Sequence, residues 1–404
     1  MAVNLQSPAL LGAVGGVRVG VGSAGIRKVG RPDLVLIELA PGTHVAGVFT
    51  RNQFCAAPVL LARRHLQQGP VRGLVINTGY ANAGTGADGL ADALRVCGAA
   101  AEALGCPVEA ILPFSTGIIG GRLPVARMLE ALPAVAASRS LDRWNDAAVA
   151  IMTTDTVPKG VSRTIRLAGT PVTITGIAKG AGMIEPHMAT LLAFVGTDAA
   201  IDEDVLADLI QEAAATSFNS ITVDGDTSTN DSCVLFATGT ARVSVRPGSE
   251  DFVTFRAALK EVFDGLAQAV IRDAEGATKF VTVETLGARS ESEARDVAYA
   301  IARSPLVKTA LFAQDANWGR VLAAAGRAVH APLDLRSVTL SINGLRVCTG
   351  GAVDPGYTDD AGMAVMRASE IHIQLDFQQG PGRARVWTCD LSHEYVRING
   401  EYRS

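Results

Sequence analysis

The sharpest chemical suggestion lies in AKGAGMIEPHMATLLAFVGTDA, residues 178–199. Here Ala189-Thr190 puts a small residue and a hydroxyl directly ahead of the apolar run Leu191-Leu192-Ala193-Phe194. A Thr hydroxyl is a weak nucleophile unless a base adjoins it, and an N-terminal Thr carries that base as its own α-amine. Making Thr190 N-terminal requires a cut before it. The same Oγ could make the cut by attacking the Ala189 carbonyl; an N→O acyl shift would give an ester that water releases. The small side chain of Ala189 leaves its carbonyl accessible, and Gly180 and Gly182 permit the strained backbone such a shift needs. The plainer reading makes Thr190 a β-former that opens a buried strand.

Other stretches carry weaker signals. In FSTGIIGG (Phe114–Gly121) a Thr-Gly pair, read as a turn, offers a hydroxyl and a backbone N–H that could aim at one oxygen, the form of an oxyanion hole. MTTDT (Met152–Thr156) could bind a carboxylate through its Thr cluster or cap a turn. FNSITVDGDTSTNDS (Phe218–Ser232) is either a polar surface loop or a lining that could hold an amino-acid ligand or a cation, though its spacing fits no EF-hand. Glu275 in DAEGATKF stands between a helix and a strand, where its carboxylate could meet an amine or simply face solvent. Trp318 and Arg320 in DANWGR read as structural. At the tail, Val396 and Ile398 alternate with Arg397, which predicts a strand ending at Asn399.

These residues need a scaffold, and the chain alternates strand-like with helix-like segments. Asp33–Ala40, Ala46–Thr50, Gly73–Gly79, Pro171–Ala178 and Lys279–Gly287 read as strands. Leu90, Leu94, Cys97, Ala101 and Leu104 recur at helical spacing until Gly105 stops them. Asp202–Ala215 reads as a helix with acidic residues in its first turn. Phe255, Leu259, Val262, Leu266 and Val270 form the stripe of the longest helix. The fold class expected is α/β (mixed α+β).

Bulk composition narrows the field. The chain has 404 residues, enough for a large dry core, and a net charge of −4, which argues against nucleic-acid binding. Without a long apolar run, no membrane span is expected, and the N-terminal residues do not read as a signal peptide. The six Cys form no C-x-x-C pair, so they read as core thiols of a reducing cytoplasm rather than zinc ligands.

Taken in order, NTGYANA, STGIIG, MTTDT, AKGAGMIEPHMATLLAF, DGDTSTND, DAEGATK, SPLVKTALFAQDANWGR and YVRINGEYRS resemble the ornithine acetyltransferase (glutamate N-acetyltransferase) family of arginine biosynthesis. The resemblance covers almost the whole chain, and KGAGMIEPHMATLL is its most specific element. It implies a layered sandwich of β-sheets flanked by helices, like that of self-processing aminopeptidases, with a cleavage site at Ala189-Thr190 on a central strand. Cleavage would leave an α chain, 1–189, and a β chain, 190–404, assembled as an α2β2 heterotetramer. Thr190 would be the nucleophile, and Thr116 and Gly117 the oxyanion hole; Gly117 would act through its backbone and tolerate Ala. Thr156, Lys179, Thr190, Glu275, Asn399 and Ser404 would bind substrate. Ser404 stands where the family has Thr, and Tyr80 in NTGYANA where it has Asn. The implied reaction moves acetyl from N2-acetyl-L-ornithine to L-glutamate by a ping-pong route with no metal or organic cofactor. Acetyl-CoA would be a co-substrate if the enzyme is bifunctional, and no phosphate-cradling G-x-G-x-x-G or P-loop decides that. The competing enzyme class is a self-processing N-terminal-nucleophile hydrolase, in which water resolves the acyl-enzyme; an uncleaved binding protein is the non-enzymatic alternative.

Overall fold

The computed structural model describes residues 2–185, 191–328 and 334–401. Ala189, Thr190 and Ser404, all singled out above, lie outside the described residues. Two compact units form. The larger takes in Ser7–Asn219 and Asp226–Val270; the smaller takes in Met1–Gln6, Ser220–Gly225 and Ile271–Ser404.

The larger unit opens with β1 (Val17–Gly22), β2 (Leu34–Leu39), β3 (His44–Phe49), α1 (Ala57–Leu66), β4 (Gly73–Tyr80) and α2 (Gly86–Leu104). Next come β5 (Ile111–Ile118), α3 (Val125–Ala137), α4 (Trp144–Ala150), β6 (Lys159–Leu167) and β7 (Thr170–Lys179). It continues with β8 (Leu192–Thr197), α5 (Glu203–Thr216), β9 (Ser232–Ala237) and α6 (Glu250–Arg272). One sheet has the order β1-β2-β4-β5 and the other β3-β9-β8-β7-β6. The β4–β5 and β8–β9 pairs are parallel and the rest antiparallel.

The two sheets pack face to face because each strand sends one side inward. Val19, Ile37, Leu74 and Phe114 from the first sheet share a core with Ile177, Phe194, Val234 and Phe236 from the second. The Phe114 and Phe194 rings meet edge to face with centroids 5.0 Å apart, a favoured aromatic geometry. On the outer face of the first sheet, Leu36, Val75 and Ile111 pack with Val96, Met128 and Leu132 of α2 and α3. Val262 and Leu266 of α6 crowd Gly176 of β7, and α5 lies against β3 and β9. Helices thus flank a pair of stacked sheets. Every residue of β8 is buried, as expected for the middle strand of a covered sheet.

In the smaller unit, β10 (Phe280–Ala288), α7 (Glu291–Ala302), α8 (Pro305–Phe312) and α9 (Trp318–Ala325) precede β11 (Thr339–Ile342), β12 (Leu345–Thr349) and β13 (Ala352–Val353). Then follow α10 (Asp359–Met366), β14 (Glu370–Asp376), β15 (Gly382–Cys389) and α11 (His393–Gly400). Its sheet order is β13-β12-β11-β14-β10-β15. Val281, Val283, Ile373 and Leu375 bury against Val297 and Ile301 of α7, with Trp318 partly buried at the edge of that core.

The mixed α/β class expected from sequence is the one observed. The stripe Phe255, Leu259, Val262, Leu266 and Val270 is wholly buried, and Gly105 ends α2 in the left-handed conformation at φ 63°. The α2 stripe holds in part: Cys97 and Ala101 are buried and Leu90 and Leu104 half-buried, but Leu94 is exposed, and Gly89, Ala93, Val96 and Ala100 widen the buried face to one side. The tail departs further, since α11 replaces the expected strand. Ser392 caps it by accepting the Glu394 N–H, and Arg397 pairs with Glu394 and Glu401 at helical spacing. A three-residue alternation is too short to outweigh a cap and two such pairs. Among the described residues no helix is long and apolar enough to cross a membrane.

Candidate functional site

Thr116 and Gly117 lie at the C-terminal end of β5, not in a turn. Parallel pairing sets Thr116 opposite Thr78 and Gly117 opposite Gly79. Buried side chains brace the strand ends here. The Ser115 hydroxyl donates to Asn77 Oδ1 at 2.6 Å, and Asn77 Nδ2 donates to the Tyr80 carbonyl at 3.1 Å. Asn230, from the polar run before β9, donates to the carbonyls of Ala81 and Ser115 at 2.5 and 2.9 Å. The end of that run, which could be read as a surface loop, is therefore buried in the larger unit at Asn230. The Tyr80 ring covers Gly121, where a Cβ would lie 2.6 Å from two ring carbons.

Gly117 adopts φ 131°, and a Cβ there would overlap the carbonyl group of Gly79. The expectation that this position tolerates Ala therefore fails, because the backbones of β4 and β5 approach too closely for any side chain.

Lys179, the last residue of β7, reaches across to this strand end and donates from Nζ to Thr116 Oγ1 at 3.1 Å. In register it stands opposite Leu192, the first residue of β8. Leu191, which follows Thr190 in the chain, is buried, and its carbonyl accepts the Ser232 N–H. The region thus gathers a hydroxyl, an ammonium and a strand end with glycine backbone, a set able to stabilise developing negative charge.

Thr156 is exposed, and its neighbour Asp155 is buried and bonded into this region. The Asp155 carboxylate accepts Lys159 Nζ at 2.6 Å and the Gly180 N–H at 2.7 Å on Oδ1, and the Thr153 N–H at 2.9 Å on Oδ2. Both side chains of the Asp155–Lys159 pair are fully buried. Burial alone would raise this carboxyl; the ammonium groups of Lys159 and Lys179 and the hydrogen bonds from Lys159 and the Thr153 N–H outweigh it, so the group is held well below the usual carboxylate range. A carboxyl lowered by folding stabilises the protein above its unfolded pKa, and that stability drains away as pH falls below about 4. Asp155→Asn removes the carboxylate paired with the buried Lys159 and is expected to cost about 3–5 kcal/mol at pH 7. In thermal melts the gap between wild type and variant should hold from pH 7 to about pH 5 and shrink below about pH 4; a gap that stays constant down to pH 2 would refute the assignment.

Asp155, Lys159 and Asn230 were not singled out by sequence reasoning. Their signal was the D-x-x-x-K spacing in TDTVPK and the amide inside STND. A second omission concerns glycine. Gly84-Thr85-Gly86-Ala87-Asp88-Gly89 does fit G-x-G-x-x-G, running from the loop after β4 into the first turn of α2. Its geometry is self-contained: Asn82 donates to the Gly89 carbonyl and accepts the Thr85 hydroxyl, and Asp88 puts a carboxylate in the first helical turn. A carboxylate there occupies the positive end of the helix that a phosphate would use.

In the smaller unit, Glu275 and Asn399 form a pair of their own. Glu275 is buried rather than facing solvent, and its Oε2 accepts Asn399 Nδ2 at 2.8 Å. Two further bonds seat α11 so that Asn399 meets Glu275. Ser392 donates to the Gly276 carbonyl at 2.6 Å, and the Tyr395 hydroxyl donates to Asp224 at 3.1 Å.

Known proteins match this chain along its whole length. The sequence model of the ArgJ family matches residues 18–404. The arginine biosynthesis bifunctional protein ArgJ of Pseudomonas syringae pv. tomato is 50% identical over 407 residues, covering 100% of both chains. The protein of the same name from Methylococcus capsulatus is 51% identical over 392 residues, covering 97% of this chain and 96% of that one. The crystal structure of arginine biosynthesis bifunctional protein ArgJ from Bacillus halodurans superposes with a TM-score of 0.50 at 37% identity, covering 51% of this chain and 97% of that one. With its motifs, its fold and these matches in agreement, the chain belongs to the ArgJ family.

Proposed function

We propose that this protein is a self-cleaving acetyltransferase of arginine biosynthesis that moves the acetyl group of N2-acetyl-L-ornithine to L-glutamate through an acetyl-Thr190 ester. The observation that carries the reading is the bond from Lys179 to Thr116, which joins the ends of β5 and β7 beside the strand that follows Thr190. Kinship at 50% identity with a protein named for bifunctional arginine biosynthesis supports it.

In the proposed cycle, attack of Thr190 Oγ on the Ala189 carbonyl and hydrolysis of the resulting ester free the Thr190 α-amine. That amine takes the Oγ proton as Oγ attacks the acetyl carbonyl of the donor. The Thr116 hydroxyl and the Gly117 N–H receive the oxyanion. Collapse breaks the amide C–N bond, and the proton held by the α-amine passes to departing ornithine. The glutamate amine then attacks the ester, and Oγ recovers a proton as N-acetylglutamate leaves. Lys179 suits a substrate carboxylate, and Glu275 with Asn399 suits a substrate amine; Thr156 and Ser404 complete the proposed binding set. No metal or organic cofactor enters this cycle.

Cleavage would divide the chain into 1–189 and 190–404. Strands β7 and β8 would then belong to different products yet remain hydrogen-bonded from Lys179–Leu192 to Ile174–Thr197, so the two products would stay in one sheet. We place the enzyme in the cytoplasm as an α2β2 assembly; its six free thiols, four of them buried, suit a reducing compartment.

The test is a donor comparison on the purified protein. N-acetylglutamate is expected from glutamate with acetylornithine, and also with acetyl-CoA if the protein is bifunctional. Acetate released at the same rate with and without glutamate would instead favour a hydrolase.

A further inference from the structure

We propose that Asp155 is a positioning residue of this site, acting through Lys179 to keep the ammonium on the Thr116 hydroxyl; the role assigned to that hydroxyl rests on the acetyl-transfer reading above. Asp155 touches neither Thr116 nor Gly117 by any of the bonds described, and its side chain is wholly buried. It brackets Lys179 along the chain. On one side it accepts the N–H of Gly180, the next residue. On the other it holds Lys159, which stands opposite Ala178 in the β6–β7 register. The carboxylate thus holds the residue after Lys179 directly, and holds through Lys159 the strand that pairs with the residue before it.

Charge acts in the same direction. The ammonium groups of Lys159 and Lys179 both act on Asp155, whose negative charge offsets the repulsion between two like charges. Lys179 directs its head toward Thr116 Oγ1. By occupying a lone pair of that oxygen, the ammonium leaves the Thr116 proton to point at a developing oxyanion. The plainer role, a counter-ion for Lys159 that only maintains the fold, predicts no connection to Lys179.

A double-mutant cycle separates the two roles. Asp155→Asn is expected to lower kcat for acetyl transfer by about tenfold or more, as a small displacement near a reacting centre does. In a Lys179→Met background the same change should cost less than about threefold. Asp155→Asn/Lys159→Met removes the buried pair together and keeps the local charge balance. It is the variant to use if Asp155→Asn does not fold, and it is expected to keep the kcat deficit. A second readout is independent of turnover: limited acetic anhydride labelling followed by peptide mass spectrometry, with the exposed Lys28 as internal reference. Lys179 should label several-fold faster once the carboxylate is gone, because removing a nearby negative charge favours the neutral amine. Equal losses in both backgrounds, or a Lys179 labelling rate that does not change, would overturn the proposal. If the wild-type protein transfers no acetyl group, the acetyl-transfer reading fails, and labelling alone decides whether Asp155 acts on Lys179.

Discussion

Thr190→Ala is expected to leave a single chain of 404 residues on a denaturing gel, with kcat for acetyl transfer lowered by about 10⁴–10⁶. Without Oγ there is no N→O shift, so no α-amine is released and no ester can form. The fold has no reason to fail. Strand β8 begins at Leu192, its six residues are buried, and its pairing with β7 and β9 does not draw on Thr190. Circular dichroism should therefore match that of the wild type. Thr190→Ser keeps a hydroxyl and is expected to mature, more slowly. Two bands from Thr190→Ala would end the self-cleavage claim, and full transferase activity from it would end the nucleophile claim.

The second large effect is expected at Gly117. Replacing it with Ala asks an L-residue to adopt φ 131° and drives its Cβ into the carbonyl of Gly79. Such a backbone conformation costs a non-glycine residue about 1–3 kcal/mol, before the clash is counted. Relief can come only by parting β4 from β5 at Tyr80 and Ile118, which displaces the Gly117 N–H and the Thr116 hydroxyl together. Loss of one oxyanion donor typically lowers kcat by about 10²–10³. Gly117→Ala should reach at least that loss and slow maturation too, since both steps pass through a tetrahedral oxyanion. A variant that matures and turns over at the wild-type rate would remove Gly117 from the proposed role. Thr116→Val is the companion variant: it keeps the strand shape and deletes only the hydroxyl.

Much of the architecture follows from local pattern. The stripe of α6, the unbroken apolar run of β8 and the glycine stop of α2 are each read within a few residues, because burial on one face imposes a period that sequence displays. Where two local signals competed, the reading failed. The tail alternated over three residues, but a capping serine and two ion pairs at helical spacing made it α11. Leu94 shared the helical period yet faces outward, since period alone does not say which of two adjacent stripes a sheet will cover.

For the site, the sequence by itself determined the family motifs and so the candidate residues: Thr190, Thr116, Gly117, Lys179, Glu275 and Asn399. It also determined that a Lys, Lys179, opens the glycine-rich lead-in. Tertiary structure alone decided that Lys179 reaches Thr116, 63 residues away, and that Asp155 meets Gly180 from 25 residues away. It alone decided that Gly117 has no room for a methyl group. The reason is physical. Hydrophobic period and turn chemistry act between near neighbours in the chain, so they are written locally. A hydrogen bond or a steric overlap depends on distance through space, which exists only once the strands have paired and the two sheets have packed.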